Sequence, residues 1–190
     1  MYAIDVMVEE HKNINYMLRV IRENCCGILD GAPVDADEHR KMIDFVRNYA
    51  DRYHHGKEEK FLFPVMESKL GVPGQSLIRH GMLVEHDLGR AHVADWENAL
   101  ELYEREPLTT HKLDILTGAM GYADLLQRHT EKENNVVYPY GEAHLSVDDK
   151  AAIDMQAREF EALPESEKVR EKHLTFLKEM MEKYGVEYSR

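Results

Sequence analysis

The sequence predicts an all-α protein, an up-down four-helix bundle made of two related halves, with two more helices after it. Three observations carry this. Long segments place apolar residues at alternating steps of three and four, the period of a helix with one buried face. Clusters of turn-forming residues interrupt the 190-residue chain at five places. A block of the sequence also recurs at a constant offset of 75 positions.

The turn clusters are Asp30-Gly31-Ala32-Pro33, Gly71-Val72-Pro73-Gly74, Glu106-Pro107 through Thr110, the neighbourhood of Ser146, and Pro164. Helices are therefore expected near 3–29, 36–69, 76–104, 110–144, 148–162 and 166–184. Asp35 with Glu38, and Ser146 with Asp149, fit the spacing at which a side-chain oxygen caps the free amides of a helix start. The first helix shows its seam most clearly, through Ile4, Met7, His11, Ile14, Leu18, Ile21, Cys25 and Ile28. The second traces Ile43, Val46, Ala50, His54, Glu58, Phe61 and Val65, and the third Met82, His86, Gly89, Val93, Trp96, Leu100 and Tyr103. The fourth runs through Ile115, Ala119, Tyr122, Leu126, His129, Glu133, Val136 and Tyr140. Each of the four main helices puts a histidine on the stripe meant for the core.

Ile153, Ala157, Phe160 and Leu163 line one face of the fifth helix, and Val169, His173, Phe176, Leu177 and Met180 one face of the sixth. These helices form an extension, 146–190, expected to pack on a bundle domain of residues 1–145. A homodimer formed through them is the alternative.

With 43% hydrophobic residues and few Gly and Pro, the chain can bury one sizeable core. A formal charge of −12 with scattered Lys and Arg excludes non-specific attachment to nucleic acid or to an anionic membrane. There is no apolar run long enough to span a bilayer, and the opening MYAIDVMVEEHK has carboxylates where a secretion signal needs apolar residues. A soluble, cytoplasmic protein is the expectation. Cys25 and Cys26 are adjacent, so on a helix they point about 100° apart, a poor geometry for a disulfide or a shared metal.

The repeat points to the chemistry. His11 and His86 are 75 positions apart, as are His54 and His129, Glu58 and Glu133, and Pro64 and Pro139. Met7/Met82, Glu10/Glu85 and Lys57/Lys132 keep the same spacing. Two hairpins of one design, related by an approximate twofold, would bring His11, His54, Glu58, His86, His129 and Glu133 to one central place. The pairs His54/Glu58 and His129/Glu133 are four residues apart, on one helix face, so both members can reach a common ion. Four imidazoles with two carboxylates suit iron, manganese or zinc, whereas calcium or magnesium prefer oxygen alone. A purely structural role would require a buried salt network, and apart from Arg47 the seam offers no cation to balance one.

The repeated strings HHGKEEKFLFP and HTEKENNVVYP, each preceded by a Glu-His pair on the previous helix, resemble the hemerythrin-like, HHE cation-binding family over about residues 3–144. That resemblance implies a non-haem di-iron centre, oxo- or hydroxo-bridged, with His11, His54, His86 and His129 as terminal ligands and Glu58 and Glu133 as bridges. Manganese and zinc are the alternatives. Oxygen-carrying members have a fifth histidine where this chain has Met82, and an aspartate five residues after the last histidine where this chain has Glu133 at four. His80 and His92 lie six positions from His86, and His55 adjoins His54; on a regular helix none of the three shares the ligand face. The four-His, two-Glu set is similar instead to iron-centre repair and stress-response members, although the cysteine-bearing segment of the repair proteins has no counterpart in this sequence.

The expected function is reaction with a small oxidant or diatomic, namely dioxygen, nitric oxide or peroxide, as a peroxide- or nitric-oxide-consuming oxidoreductase fed by an unidentified electron donor. Non-enzymatic binding, sensing or storage of oxygen or iron is the alternative. Tyr122, two turns before His129, and Asp51, one turn before His54, are candidates for supporting the ligands from behind.

Overall fold

In the computed structural model, which describes residues 1–188, α1 (Tyr2–Leu29) buries every residue of its predicted seam. The next arm starts where Asp35 Oδ1 accepts the Glu38 amide at 3.1 Å. It continues through α2 (Ala36–Phe45), wide π-helical turns over Val46–His55 and Glu58–Leu62, and α3 (Phe63–Lys69). The third arm joins α4 (Gly71–Leu77), a π turn at Ile78–Met82 and α5 (Leu83–Arg105). The fourth joins α6 (Thr109–Lys132), a π turn at Glu133–Val137 and α7 (Tyr138–His144). Among the described residues there is no strand.

The expected loop at 71–74 is instead the first turn of α4. Gly71 takes φ +62°, which breaks the chain direction after Leu70. Pro73 then sits in a first turn, where its missing N–H costs no helical bond. A Cβ at Gly74 would lie 2.7 Å from both the Met66 carbonyl oxygen and Leu70 Cβ, so only glycine lets the two short helices meet this closely.

The π turns correct the sequence pattern in one consistent way. Their i→i+5 bonds insert one residue into the turn and advance everything after it by that residue. After Glu58 the core is lined by Leu62, Phe63 and Met66, with the predicted Phe61 and Val65 only half-buried. After Glu133 it is lined by Val137 and Tyr138, while the predicted Val136 is 52% exposed and Tyr140 half-buried. The two copies shift together: Glu58–Leu62 followed by Phe63–Lys69 recurs 75 positions later as Glu133–Val137 followed by Tyr138–His144. The turn at Val46–His55 has no such copy, because the equivalent part of α6 is regular α-helix.

Two apolar layers result. One holds Ala3, Ile4 and Met7 with Leu62, Phe63, Met82, Val137 and Ile153. The other holds Ile14 onward with Tyr49, Tyr53, Val93, Trp96 and Leu126. The histidines and glutamates lie between the two, at the level of His11.

Ser146 caps α8 (Val147–Glu161) by accepting the Asp149 amide at 3.1 Å, and α9 (Pro164–Tyr184) ends at Gly185 with φ +63°. Ile153 and Ala157 of α8 join one apolar layer, and Leu177, Met180 and Met181 of α9 the other, so the extension packs along the bundle. Among the described residues no helix is long and apolar enough to cross a membrane.

His39 gives the second layer a pH dependence. It is fully buried, and its Nδ1 accepts the Trp96 indole N–H at 3.0 Å. Burial holds its pKa down at about 4, against an ordinary value of 6.5. Between these values the unfolded chain binds the extra proton, so stability rises with pH from about 4 to 6.5 and is fully present above that. The contribution is about 3 kcal/mol. Urea unfolding of metal-free protein at pH 4.5 and 7 is expected to show a smaller pH difference for His39→Gln than for wild type. An unchanged difference would mean His39 does not titrate on unfolding.

Candidate metal centre

The six residues singled out from the sequence converge, each no more than 1% exposed. His86 Nε2 and His129 Nε2 approach to 3.1 Å, two ring nitrogens aimed at a common point. Glu133 Oε2 lies 3.2 Å from Nε2 of both His11 and His129. Glu58 Oε2 lies 3.6 Å from His86 Nε2 and 3.8 Å from His54 Nε2. The donor atoms form two groups of four, each within 4.8 Å: His11, His54, Glu58 and Glu133, and His55, Glu58, His86 and His129. Glu58 belongs to both.

The residues fit a metal. His54 Nε2, His55 Nε2, Glu58 Oε2 and both oxygens of Glu133 are buried without a hydrogen-bond partner among the described residues. Burial and the charge of Glu133 push the Glu58 carboxyl well above the usual carboxylate range. Two carboxylates this close and this dry repel each other, and a cation between them relieves both the repulsion and the unmet polar atoms.

The far side of each ring is held by a partner that obeys the repeat. His54 Nδ1 meets Glu10 Oε2 at 2.8 Å, and His129 Nδ1 meets Glu85 Oε2 at 3.0 Å. His11 Nδ1 meets Asn134 Oδ1 at 2.8 Å, and His86 Nδ1 meets Glu59 Oε1 at 2.7 Å. A hydrogen bond at Nδ1 directs Nε2 inward and fixes the ring.

Three differences break the symmetry. First, His55 stands where the other half has Thr130. On a regular helix it would turn away from the site, but the π turn over Val46–His55 rotates it inward. It is buried, and its ring stacks on that of His86 at 3.8 Å. The expectation that His55 lies off the ligand face is therefore corrected, whereas His80 is exposed and His92 half-exposed against Gly121. Second, Tyr138 stands opposite Phe63 in the repeat, and its hydroxyl donates to Glu58 Oε1 at 2.5 Å. Third, Lys57 is 2% exposed, bound to Glu10 and, at 2.6 Å, to Glu161 of α8, whereas its counterpart Lys132, on Glu85, is 50% exposed. The balancing cation is thus Lys57. Arg47 is instead committed to Glu97, at 2.5 Å.

Of the two residues expected behind the ligands, Asp51 Oδ1 meets His55 Nδ1 at 3.3 Å rather than His54, and also accepts from Arg90. Tyr122 is 3% exposed and lines a cavity beside His55 and His86. Sequence reasoning missed His55, Tyr138 and the placement of Lys57. The aromatic residue before Pro64 and Pro139 in both copies, and the Lys57/Lys132 repeat, were the available signals.

A helical bundle with imidazoles and carboxylates gathered between two apolar layers defines a metal-binding protein of the helical-bundle type. The family model for the hemerythrin HHE cation binding domain matches residues 2–141, and the chain belongs to that family. No curated protein and no solved structure matches it.

Proposed function

We propose that this chain is a non-haem di-iron protein that reacts with small oxidants or diatomics, in redox or stress defence. The observation that carries the reading is the pair of four-donor groups meeting at Glu58. One ion would be held by His11, His54, Glu58 and Glu133, the other by His55, His86, His129 and Glu58. Glu133 Oε1, 4.0 Å from His86 Nε2, could serve the second ion as well. When bound, iron supplies redox electrons and Lewis acidity. The chain supplies the rest: Glu10, Glu59, Glu85 and Asn134 orient the rings, Tyr138 holds a proton at Glu58 Oε1, and the apolar layers exclude water. Manganese or zinc would fit the same donors.

Four or five protein donors on each six-coordinate ion would leave at least one position open on both, an arrangement suited to reaction more than to closed storage. The reduced, iron-loaded protein is expected to oxidise within seconds in air and not to revert under vacuum, followed by stopped-flow absorbance. Full reversal under vacuum would replace this reading with oxygen carriage or sensing.

The same preparation tests the ligand set. His55→Ala is expected to weaken one of the two ions by at least about 10–100-fold, the loss that follows removal of even a partner behind a ligand. His80→Ala and His92→Ala are expected to leave metal content unchanged. Equal metal content in all three variants, by elemental analysis, would remove His55 from the site.

A further inference from the structure

The two glutamates of the centre hold matching places in the repeat but have different surroundings. Both oxygens of Glu133 are buried without a hydrogen-bond partner among the described residues, whereas in Glu58 this is true of Oε2 alone. Glu58 Oε1 accepts the Tyr138 hydroxyl at 2.5 Å. Its free atom, Oε2, lies between the two donor groups, 3.8 Å from His54 Nε2 in one and 3.6 Å from His86 Nε2 in the other. One oxygen of Glu58 therefore faces both metal positions, and the other is tied to a phenol.

The repeat isolates the cause. Tyr138 stacks on His11 with ring centroids 5.5 Å apart. The same pair 75 positions away is Phe63 stacked on His86, at 5.9 Å. Position 63 thus stands toward Glu133 as position 138 stands toward Glu58, but its ring carries no hydroxyl. Both rings are buried. The Tyr138 hydroxyl also lies 3.4 Å from His11 Nε2. An ion on that nitrogen occupies its lone pair, which leaves Glu58 Oε1 to accept the phenol proton. A buried donor stripped of its acceptor is unfavourable, so the bond resists any swing of Oε1 onto an ion.

We propose that Tyr138 is a positioning residue that confines Glu58 to a one-oxygen bridge through Oε2, leaving Glu133 as the carboxylate free to use either oxygen or both. This rests on the di-metal reading above. It divides the roles of two side chains that the repeat makes equivalent. Glu58 is the fixed link between the ions, and Glu133 changes from two contacts to one, opening a position on an ion with no movement of the helices.

The test uses the full chain loaded with cobalt(II). Crystal structures are compared for wild type, Tyr138→Phe and the exchange variant Tyr138→Phe/Phe63→Tyr, with elemental analysis of the same samples. In wild type, Glu58 Oε2 is expected on both ions and Oε1 on Tyr138. In Tyr138→Phe, Oε1 is expected to move onto an ion. In the exchange variant the restraint is expected to change sides: Glu58 binds through both oxygens, and the introduced hydroxyl holds one oxygen of Glu133. A residue that merely filled space would leave both carboxylates unmoved.

X-ray absorption in solution gives a second reading. Two ions each about 2.1 Å from one oxygen are at most about 4.2 Å apart, so a longer cobalt–cobalt distance in wild type overturns the proposal. Glu58 bound through both oxygens in wild type, or unmoved in both variants, also overturns it, while two ions per chain keep the di-metal reading. Fewer than two ions per chain in wild type rejects that reading and the one-oxygen bridge with it.

Discussion

Glu58→Ala is expected to empty both metal positions together, taking iron from about two ions per chain to nearly none. Glu58 is the one side chain common to both donor groups, and it is fully buried. Its loss removes a negative donor from each group at once and leaves five imidazoles and Glu133 to hold two dications. Glu133→Ala, by contrast, takes a close donor from the His11/His54 group and from the other only an oxygen 4.0 Å from His86 Nε2, so one ion is expected to leave before the other. Elemental analysis after dialysis against graded chelator distinguishes the two patterns. A Glu58→Ala protein that kept a full ion would show that the two positions are not joined through this carboxylate.

Lys57→Met is expected to be the most damaging single change outside the donor set. Lys57 lies against the Tyr53 ring at 3.7 Å and neutralises Glu10 and Glu161, so removing its charge leaves Glu10 buried and uncompensated. Breaking a buried pair in this way costs about 3–5 kcal/mol. The effect reaches the centre because Glu10 also orients His54. Lys132→Met cuts the matching contact on Glu85, but in solvent, where such a pair is worth about 0–1 kcal/mol. Urea denaturation of the two metal-free variants is expected to differ by several kcal/mol, with Glu10→Gln restoring much of the loss in Lys57→Met. Equal destabilisation by the two lysine changes would mean that the cover provided by α8 is irrelevant.

The helices and the gathering of the six buried His and Glu residues were legible because they depend on spacing that a helix of constant pitch preserves. The α1 seam from Ile4 to Ile28 is buried throughout. The repeat placed Glu10 and Glu85, Lys57 and Lys132 in corresponding positions before their partners were known. What could not be read is the wide turn. No residue type marks an i→i+5 turn, and its cost is met by tertiary fit around the site. The predicted stripes therefore slipped by one residue after each glutamate, selecting Val136 over Val137 and Phe61 over Leu62. The same turn at Val46–His55 hid His55. Lys57 escaped notice for a different reason: its cover, Glu161 and Arg170, comes from helices more than 100 positions away, a long-range contact that local pattern does not encode.

The uneven cover of the two lysines gives ordinary salt a directional action on this molecule. Around Lys132 and Glu85 dissolved ions can enter, and at physiological strength charges are screened beyond about 8 Å. Around Lys57 and Glu10 they cannot, because α8 stands in the way. Raising ionic strength therefore loosens the support behind His129 while the support behind His54 is untouched. Two half-sites that the repeat makes near copies are set apart by the solvent, and dissolved salt acts on the support of one histidine more than on that of its counterpart.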